Sequence, residues 1–205
     1  MSGSLDAHTL YELIMARARH PGVVQQVALG LSWSLASVRM DDGGMARGLC
    51  FSPTDAPRNL SWPGSLAGRD AAELVSWLLH WNTCDATVGA AVANAIINYH
   101  SPLPARAQAL HCAEAPHLAV FEHFKGRLAG SRVAIIGRYP GLDRYQGQFD
   151  FHCIERRPGP GDLPDAAADW ILPRSDWVFI TASSMANKTL PHLLNLSRHA
   201  QVVLM

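Results

Sequence analysis

Thr181-Ala182-Ser183-Ser184, followed by Asn187-Lys188-Thr189, gathers four hydroxyls, an amide and an amine into nine residues. A helix is expected directly after them, over Leu190–Leu196. A helix start offers free backbone N–H groups and the positive end of a dipole to an anion. The same residues also make ordinary helix caps. Lys188 has two readings, a partner for an anionic ligand or an exposed lysine.

Two further positions share that chemistry. Gly137 opens Arg-Tyr-Pro-Gly, which carries Tyr139, and a glycine after a strand lets backbone approach a ligand closely. The alternative is a tight turn with no ligand. Glu155 ends another apolar run, where an acid binds a ribose hydroxyl in nucleotide sites or serves as a hard metal ligand. Its alternative is pairing with Arg156 or Arg157. Only Gly137 and Gly141 of a G-x-G-x-x-G pattern are present, and about 18 residues separate Gly137 from Glu155. Any crossover helix is therefore short, which disfavours ordinary dinucleotide binding.

Other chemistry-bearing residues are weaker candidates. Asn94 and Asn98 lie one turn apart on an alanine-rich helix, as buried hydrogen-bond partners or as cleft residues. His111, Cys112, Glu114, His117 and His123 form the densest metal-competent collection, but their spacing fits no tetrahedral site. His152 and Cys153 alternate on one strand and point to opposite faces, so at least one is core. No Ser-His-Asp order, paired-carboxylate motif or P-loop is visible, and no nucleophile or general base is nominated.

The elements that must position these residues fall into two groups. Leu5–Arg19 reads as an amphipathic helix with Leu10, Leu13, Ile14 and Ala18 near one face and Tyr11 and Met15 at its edges. His20-Pro21-Gly22 stops it. Val23–Leu29, Ser34–Met40 and Met45–Phe51 read as an antiparallel meander, its hairpin at Asp41-Asp42-Gly43-Gly44. Ser52–Gly68 is loop-like, with Pro53, Pro57, Pro63 and Gly64. Arg69–Trp81 follows as a helix offering Leu74, Val75, Trp77, Leu78 and Trp81 to the core. Asp85–Tyr99 is a second helix, with Asp85 as N-cap or first-turn acid. Ser101–Pro116 is the expected linker, and Leu118–Phe124 a short helix. Ser131–Ile136, Phe149–Glu155 and Trp177–Thr181 are short apolar runs suited to strands buried on both faces of a parallel sheet. In such sheets ligands bind at the carboxyl ends of the strands.

The expected fold is thus an α+β N-terminal domain, residues 1–115, joined to an α/β, Rossmann-like C-terminal domain, residues 116–205. Seventeen basic residues balance seventeen acidic ones, which argues against a nucleic-acid surface. No apolar run approaches the ~20 residues that span a bilayer, and the first residues show no signal pattern. A cytoplasmic location is the default expectation. Cys50, Cys84, Cys112 and Cys153 form no C-x-x-C and are expected to be free thiols. A closed homodimer is the default for assembly.

Four stretches carry a resemblance. They are N-T-C-D-A-T-V-G-A-A-V-A-N-A-I-I-N (82–98), V-A-I-I-G (133–137), I-E-R-R-P-G-P-G-D-L-P (154–164) and D-W-V-F-I-T-A-S-S-M-A-N-K-T-L (176–190). The chain resembles the family whose C-terminal part is the heavy-metal chelation domain DUF364 and whose N-terminal part, DUF4213, resembles the N-terminal domain of enolase. The resemblance implies a cleft between two such domains and a role in handling a heavy metal or a metal-containing small molecule. It leaves the cofactor unknown, a transition metal ion being the candidate, and names a small-molecule or metal ligand as partner. Ala182 stands where the family has glycine. The family also continues past the strand at Ala200–Leu204, so part of the usual site wall is expected to be absent or supplied by a second subunit. Two other functions stay open: an enzyme using a nucleotide-like cofactor such as S-adenosylmethionine, and a non-catalytic assembly protein.

Overall fold

A computed structural model describes residues 6–53 and 59–205. Pro57 and Leu5, both placed in elements above, lie outside the described residues. The chain divides into two compact units, residues 1–107 with Met185–Lys188, and residues 108–184 with 189–205. It is a mixed α/β protein with one antiparallel and one parallel sheet.

The first unit opens with α1 (Ala7–Arg17), whose N-cap Asp6 accepts from the Thr9 amide at 3.1 Å. Tyr11 and Ala18 are the buried positions, while Leu13 is 58% exposed. The buried face is therefore centred on Tyr11 and not on Leu13, because the Tyr11 hydroxyl donates to the Met185 carbonyl at 2.7 Å. The meander follows as β1 (Gly22–Ala28), β2 (Trp33–Met40) and β3 (Met45–Phe51). Its β2–β3 turn is held by Asp42, which accepts from the Gly44 amide and the Tyr99 hydroxyl.

The helices pack on one face of this meander. α2 (Ala71–Ser76) is capped by Asp70 and runs into a 3-10 turn at Trp77–Leu79. The expected helix thus stops short of Trp81, which is 86% exposed and not core. α3 (Thr83–His100) is capped by Asn82, whose side chain accepts from the Cys84 and Asp85 amides. Asp85 is the first-turn acid. Along β3 the inward positions are Ala46, Gly48 and Cys50, and small residues there match Gly89, Ala90, Ala91, Ala93 and Ala95 on α3. A Cβ on Gly48 would penetrate the Ala91 carbonyl and the Ala95 amide. Close approach of this kind is what glycine permits. Each buried Val or Ile of α3, such as Val88, Val92 and Ile96, contributes roughly 1.5–3 kcal/mol.

The second unit begins with α4 (Ala119–Leu128), longer than the expected Leu118–Phe124. It packs Phe121 and Phe124 on Phe179. Then come β4 (Val133–Ile136), β5 (Phe151–Glu155), β6 (Leu163–Pro164), α5 (Ala168–Ile171), β7 (Trp177–Ile180), α6 (Ser183–Ala186), α7 (Leu190–Leu196) and β8 (Gln201–Leu204). The strands form one parallel sheet in the order β6-β5-β4-β7-β8. All four residues of β4 are buried, as a central strand covered on both faces requires. The β4-to-β5 connection holds only a 3-10 turn at Leu142–Tyr145. Arg132 and Asp176 tie the starts of β4 and β7 together. The carboxylate accepts from the Arg132 amide at 2.8 Å and from the guanidinium at 2.8 and 3.0 Å. Among the described residues no helix is long and apolar enough to cross a membrane.

Candidate functional site

The order of the parallel sheet reverses at β4, with β5 on one side and β7 on the other. The crevice at the carboxyl end of such a reversal is where open α/β sheets take ligands. Gly137 follows β4 and Thr181 follows β7, and the Thr181 amide donates to the Ile136 carbonyl at 3.1 Å. Gly137 has φ +94°, and a Cβ there would lie 3.0 Å from Thr181 Cγ2. Only glycine meets both conditions without strain.

Around that pair the hydroxyls converge. Burial pushes the Tyr139 phenol up from the ordinary value, against the lowering effect of the neighbouring Thr181 hydroxyl. Thr181 Oγ1 lies 3.1 Å from Ser183 Oγ. The buried Ser184 hydroxyl instead donates to the Thr181 carbonyl at 2.7 Å and is structural. Ala182 is exposed, and its amide donates to the Met205 carbonyl at 2.6 Å. The amides of Ser184 and Thr189 donate to Thr181 and Ser184 carbonyls. The expected row of free N–H groups is thus largely spent on the fold, and α7 has only seven residues.

Glu155 closes the other side. Its carboxylate accepts from the Arg138 amide at 2.8 Å and the Arg157 amide at 3.3 Å, so it staples two loops. Nothing about the position of Arg138 in the sequence marks it as part of this cluster. Its guanidinium donates to Asp162 at 2.8 Å and to both oxygens of Asp143. Asp162 is only 3% exposed at its side chain. Cys153 is core, as one of the His152–Cys153 pair must be, and burial followed by Asp162 pushes its thiol up to about 12. A cavity of about 180 Å³ lies beside this cluster, lined by Arg138, Asp143, Gln146, Phe149, Cys153 and Gly161 among others.

The remaining candidates are placed elsewhere. Asn94 lies in the first unit, where its amide donates to the Leu49 carbonyl at 2.9 Å and covers the edge of β3. Asn98 is exposed. Asn187 and Lys188 also belong to the first unit. Lys188 is half-buried and not exposed, with φ +69° and its ammonium 5.4 Å from the Tyr11 ring centre. Burial lowers its pKa. The collection from His111 to His123 is not gathered. Glu114 pairs with Arg144, His117 meets the Pro140 carbonyl, and His123 lies beside Arg127.

These donors do not suit a bare metal ion. Asp143 and Asp162 are neutralised by Arg138, Glu155 is taken by amides, and the Cys153 thiol holds its proton. Among the described residues no three His, Cys, Asp or Glu side chains are grouped to hold a metal.

Family models match residues 11–97 as DUF4213 and residues 119–205 as DUF364, both described as "Putative heavy-metal chelation". The chain belongs to this family. A DUF364-family protein of unknown function from Desulfitobacterium hafniense superposes with a TM-score of 0.76 at 26% identity, over 97% of this chain and 77% of that one. Another, from Pyrococcus horikoshii, gives 0.79 at 20% identity, over 97% and 78% of the two chains, and bears on the fold alone. No curated protein matches the chain.

Proposed function

We propose that this DUF364-family chain binds a metal as part of a small chelate, with the organic part seated at the carboxyl ends of β4 and β7. The observation that carries this reading is the contact of Gly137 with Thr181 at the strand-order reversal, bordered by the Tyr139 and Ser183 hydroxyls. Hydroxyls and an aromatic ring suit an organic ligand better than a naked cation. The carboxylates and the thiol close by are already committed, which supports a metal that arrives with its own ligands. The family description points to the metal.

The topology supports a Rossmann-like reading of the second unit and an enolase-N-like reading of the first. A cofactor such as S-adenosylmethionine ranks behind the chelate. Its ribose would seek Glu155, whose oxygens already accept from Arg138 and Arg157 amides.

The test is to denature the purified protein and analyse what it releases, by elemental analysis and mass spectrometry. The reading expects metal and an organic chelator in equal amounts. Stoichiometric metal without an organic partner speaks against it.

A further inference from the structure

An antiparallel sheet packed on one face normally turns polar residues outward. The outward face of the meander does not. In β3 every second residue is buried, and the exposed ones are Met45, Arg47, Leu49 and Phe51. The strand register sorts the outward positions into rows. Trp33 lies opposite Phe51, Leu35 opposite both Ala28 and Leu49, and Ser37 opposite Arg47. The first two rows are wholly apolar. Trp33 is 59% exposed, Leu49 53% and Phe51 41%, and Leu31, just before β2, is fully exposed. The Trp33 and Phe51 rings meet edge to face at 5.4 Å, so the patch is a formed surface on paired strands.

Its size is that of an interface core. Aromatic side chains carry about 150–250 Å² each, so the exposed fractions here amount to roughly 500 Å² of contiguous apolar surface. With a polar rim, that approaches the ~800 Å² per partner of a stable dimer. The pattern is also self-complementary. Ser37 and Arg47 lie two residues to one side of the Leu35–Leu49 row, and Trp33 and Phe51 two residues to the other. A second copy can be turned over about a two-fold axis running across the strands at that row. Leucine then meets leucine, Phe51 meets the Arg47 guanidinium of the second copy, and Trp33 meets the small Ser37. Arginine over an aromatic ring is attractive. Within these rows no like charges are opposed, and each contact occurs twice, as an isologous interface requires. Pairing at the β3 edge is less favourable, because the Asn94 amide already occupies the Leu49 carbonyl there.

We propose that the outward face of the meander is a dimer interface, two copies of this chain packing sheet to sheet with Leu35 and Leu49 at the two-fold axis. The inference goes beyond the chelate reading, does not rest on it, and uses residues of the first unit alone.

The test is sedimentation velocity on the full chain at micromolar concentration, with thermal unfolding to check that each variant folds. Wild type is expected to sediment as a dimer. Leu49→Lys sets two ammonium groups against each other at the axis, beside Arg47, and is expected to weaken association at least about hundred-fold. Arg47→Glu loses the guanidinium–ring contacts and is expected to weaken it about ten-fold. Trp81→Ser, which removes an exposed aromatic off the sheet, is expected to leave the dimer unchanged. A short bismaleimide is expected to link Leu49→Cys into covalent dimers. It should link neither wild type nor Met45→Cys, whose copies would lie on the order of 27 Å apart by strand rise. A monomeric wild type overturns the proposal, and so does a Leu49→Lys variant that associates like wild type. Linking of Met45→Cys in preference to Leu49→Cys overturns the placement of the axis.

Discussion

Gly137 and Thr181 touch at the point where the parallel sheet changes direction: a Cβ on Gly137 would lie 3.0 Å from Thr181 Cγ2, at a φ of +94°. The contact combines two penalties for any other residue, a left-handed backbone and a side-chain clash. Gly137→Ala is expected to lose about 1–3 kcal/mol of stability in urea unfolding. Thr181→Ser, which removes Cγ2, is expected to recover part of that loss in the double variant and little alone. Strictly additive losses would mean that the clash is not felt.

Gly48 makes a different prediction, because its neighbours are backbone. The Ala91 carbonyl and Ala95 amide cannot rotate away as a side chain can. Gly48→Ala must push α3 off the sheet and is expected to cost about 3 kcal/mol, more than Gly137→Ala. A midpoint within error of wild type would show that α3 sits further from β3 than described.

These two glycines also mark what the sequence made legible. The Asp-Gly and Gly-Gly signals place the β2–β3 turn, and the unbroken apolar run Val133–Ile136 predicts a fully buried strand. Both depend on neighbours in the chain. Helical spacing puts Trp81 in the core because spacing alone cannot report that the helix tightens to a 3-10 turn at Trp77–Leu79. Helical spacing puts Tyr11 at an edge because its partner, the Met185 carbonyl, lies 174 positions away. Gly137 and Thr181 draw notice in the sequence because each stands at the end of an apolar run. That their loops spend so many amides internally was not readable from composition.

The ends of the pH range test two charge environments. Hydrogen bonds from the Arg132 guanidinium, then from its amide, hold Asp176 down at about 2 against an ordinary 3.8. The unfolded chain takes up that proton first, so the contribution is present above about pH 4 and is lost as pH falls toward 2. Both groups are exposed, so the effect is small and shrinks with salt. Carboxyl NMR should place the Asp176 midpoint near 2 in wild type and near its ordinary value in Arg132→Gln. An unshifted wild-type midpoint would contradict the bidentate pair.

At the alkaline end the thiols act in the opposite sense. Burial, the leading cause in each, pushes Cys50 up to about 11 and Cys153 up to about 12. Their folded-state protons stabilise the native chain below the ordinary thiol value of 9.0. That contribution fades as pH rises from there toward the folded values. Native-state alkylation at pH 8 should therefore modify Cys112, the half-buried thiol, before Cys50, Cys84 or Cys153. Rapid modification of Cys153 would show that its cluster opens.

Lys188 supplies a backbone test, as a non-glycine residue at φ +69°. Lys188→Gly removes the strain and also the contact with Tyr11, so stability should change by less than about 1 kcal/mol. Lys188→Val adds a β-branched side chain where it is least tolerated and should cost about 1–2 kcal/mol. Equal stabilities for the two variants would indicate that the segment relaxes out of the left-handed region.

Calorimetric titration of the full chain with Ni(II) chloride and with preformed Ni(II)–iminodiacetate tests the proposed function most directly. Thr181→Val, which keeps the shape and removes the hydroxyl, is the paired variant. The account predicts saturable binding of the chelate at one per chain, at least about ten-fold tighter than the free ion and weakened in Thr181→Val. Tighter stoichiometric binding of the free ion, unaffected by Thr181→Val, would contradict it.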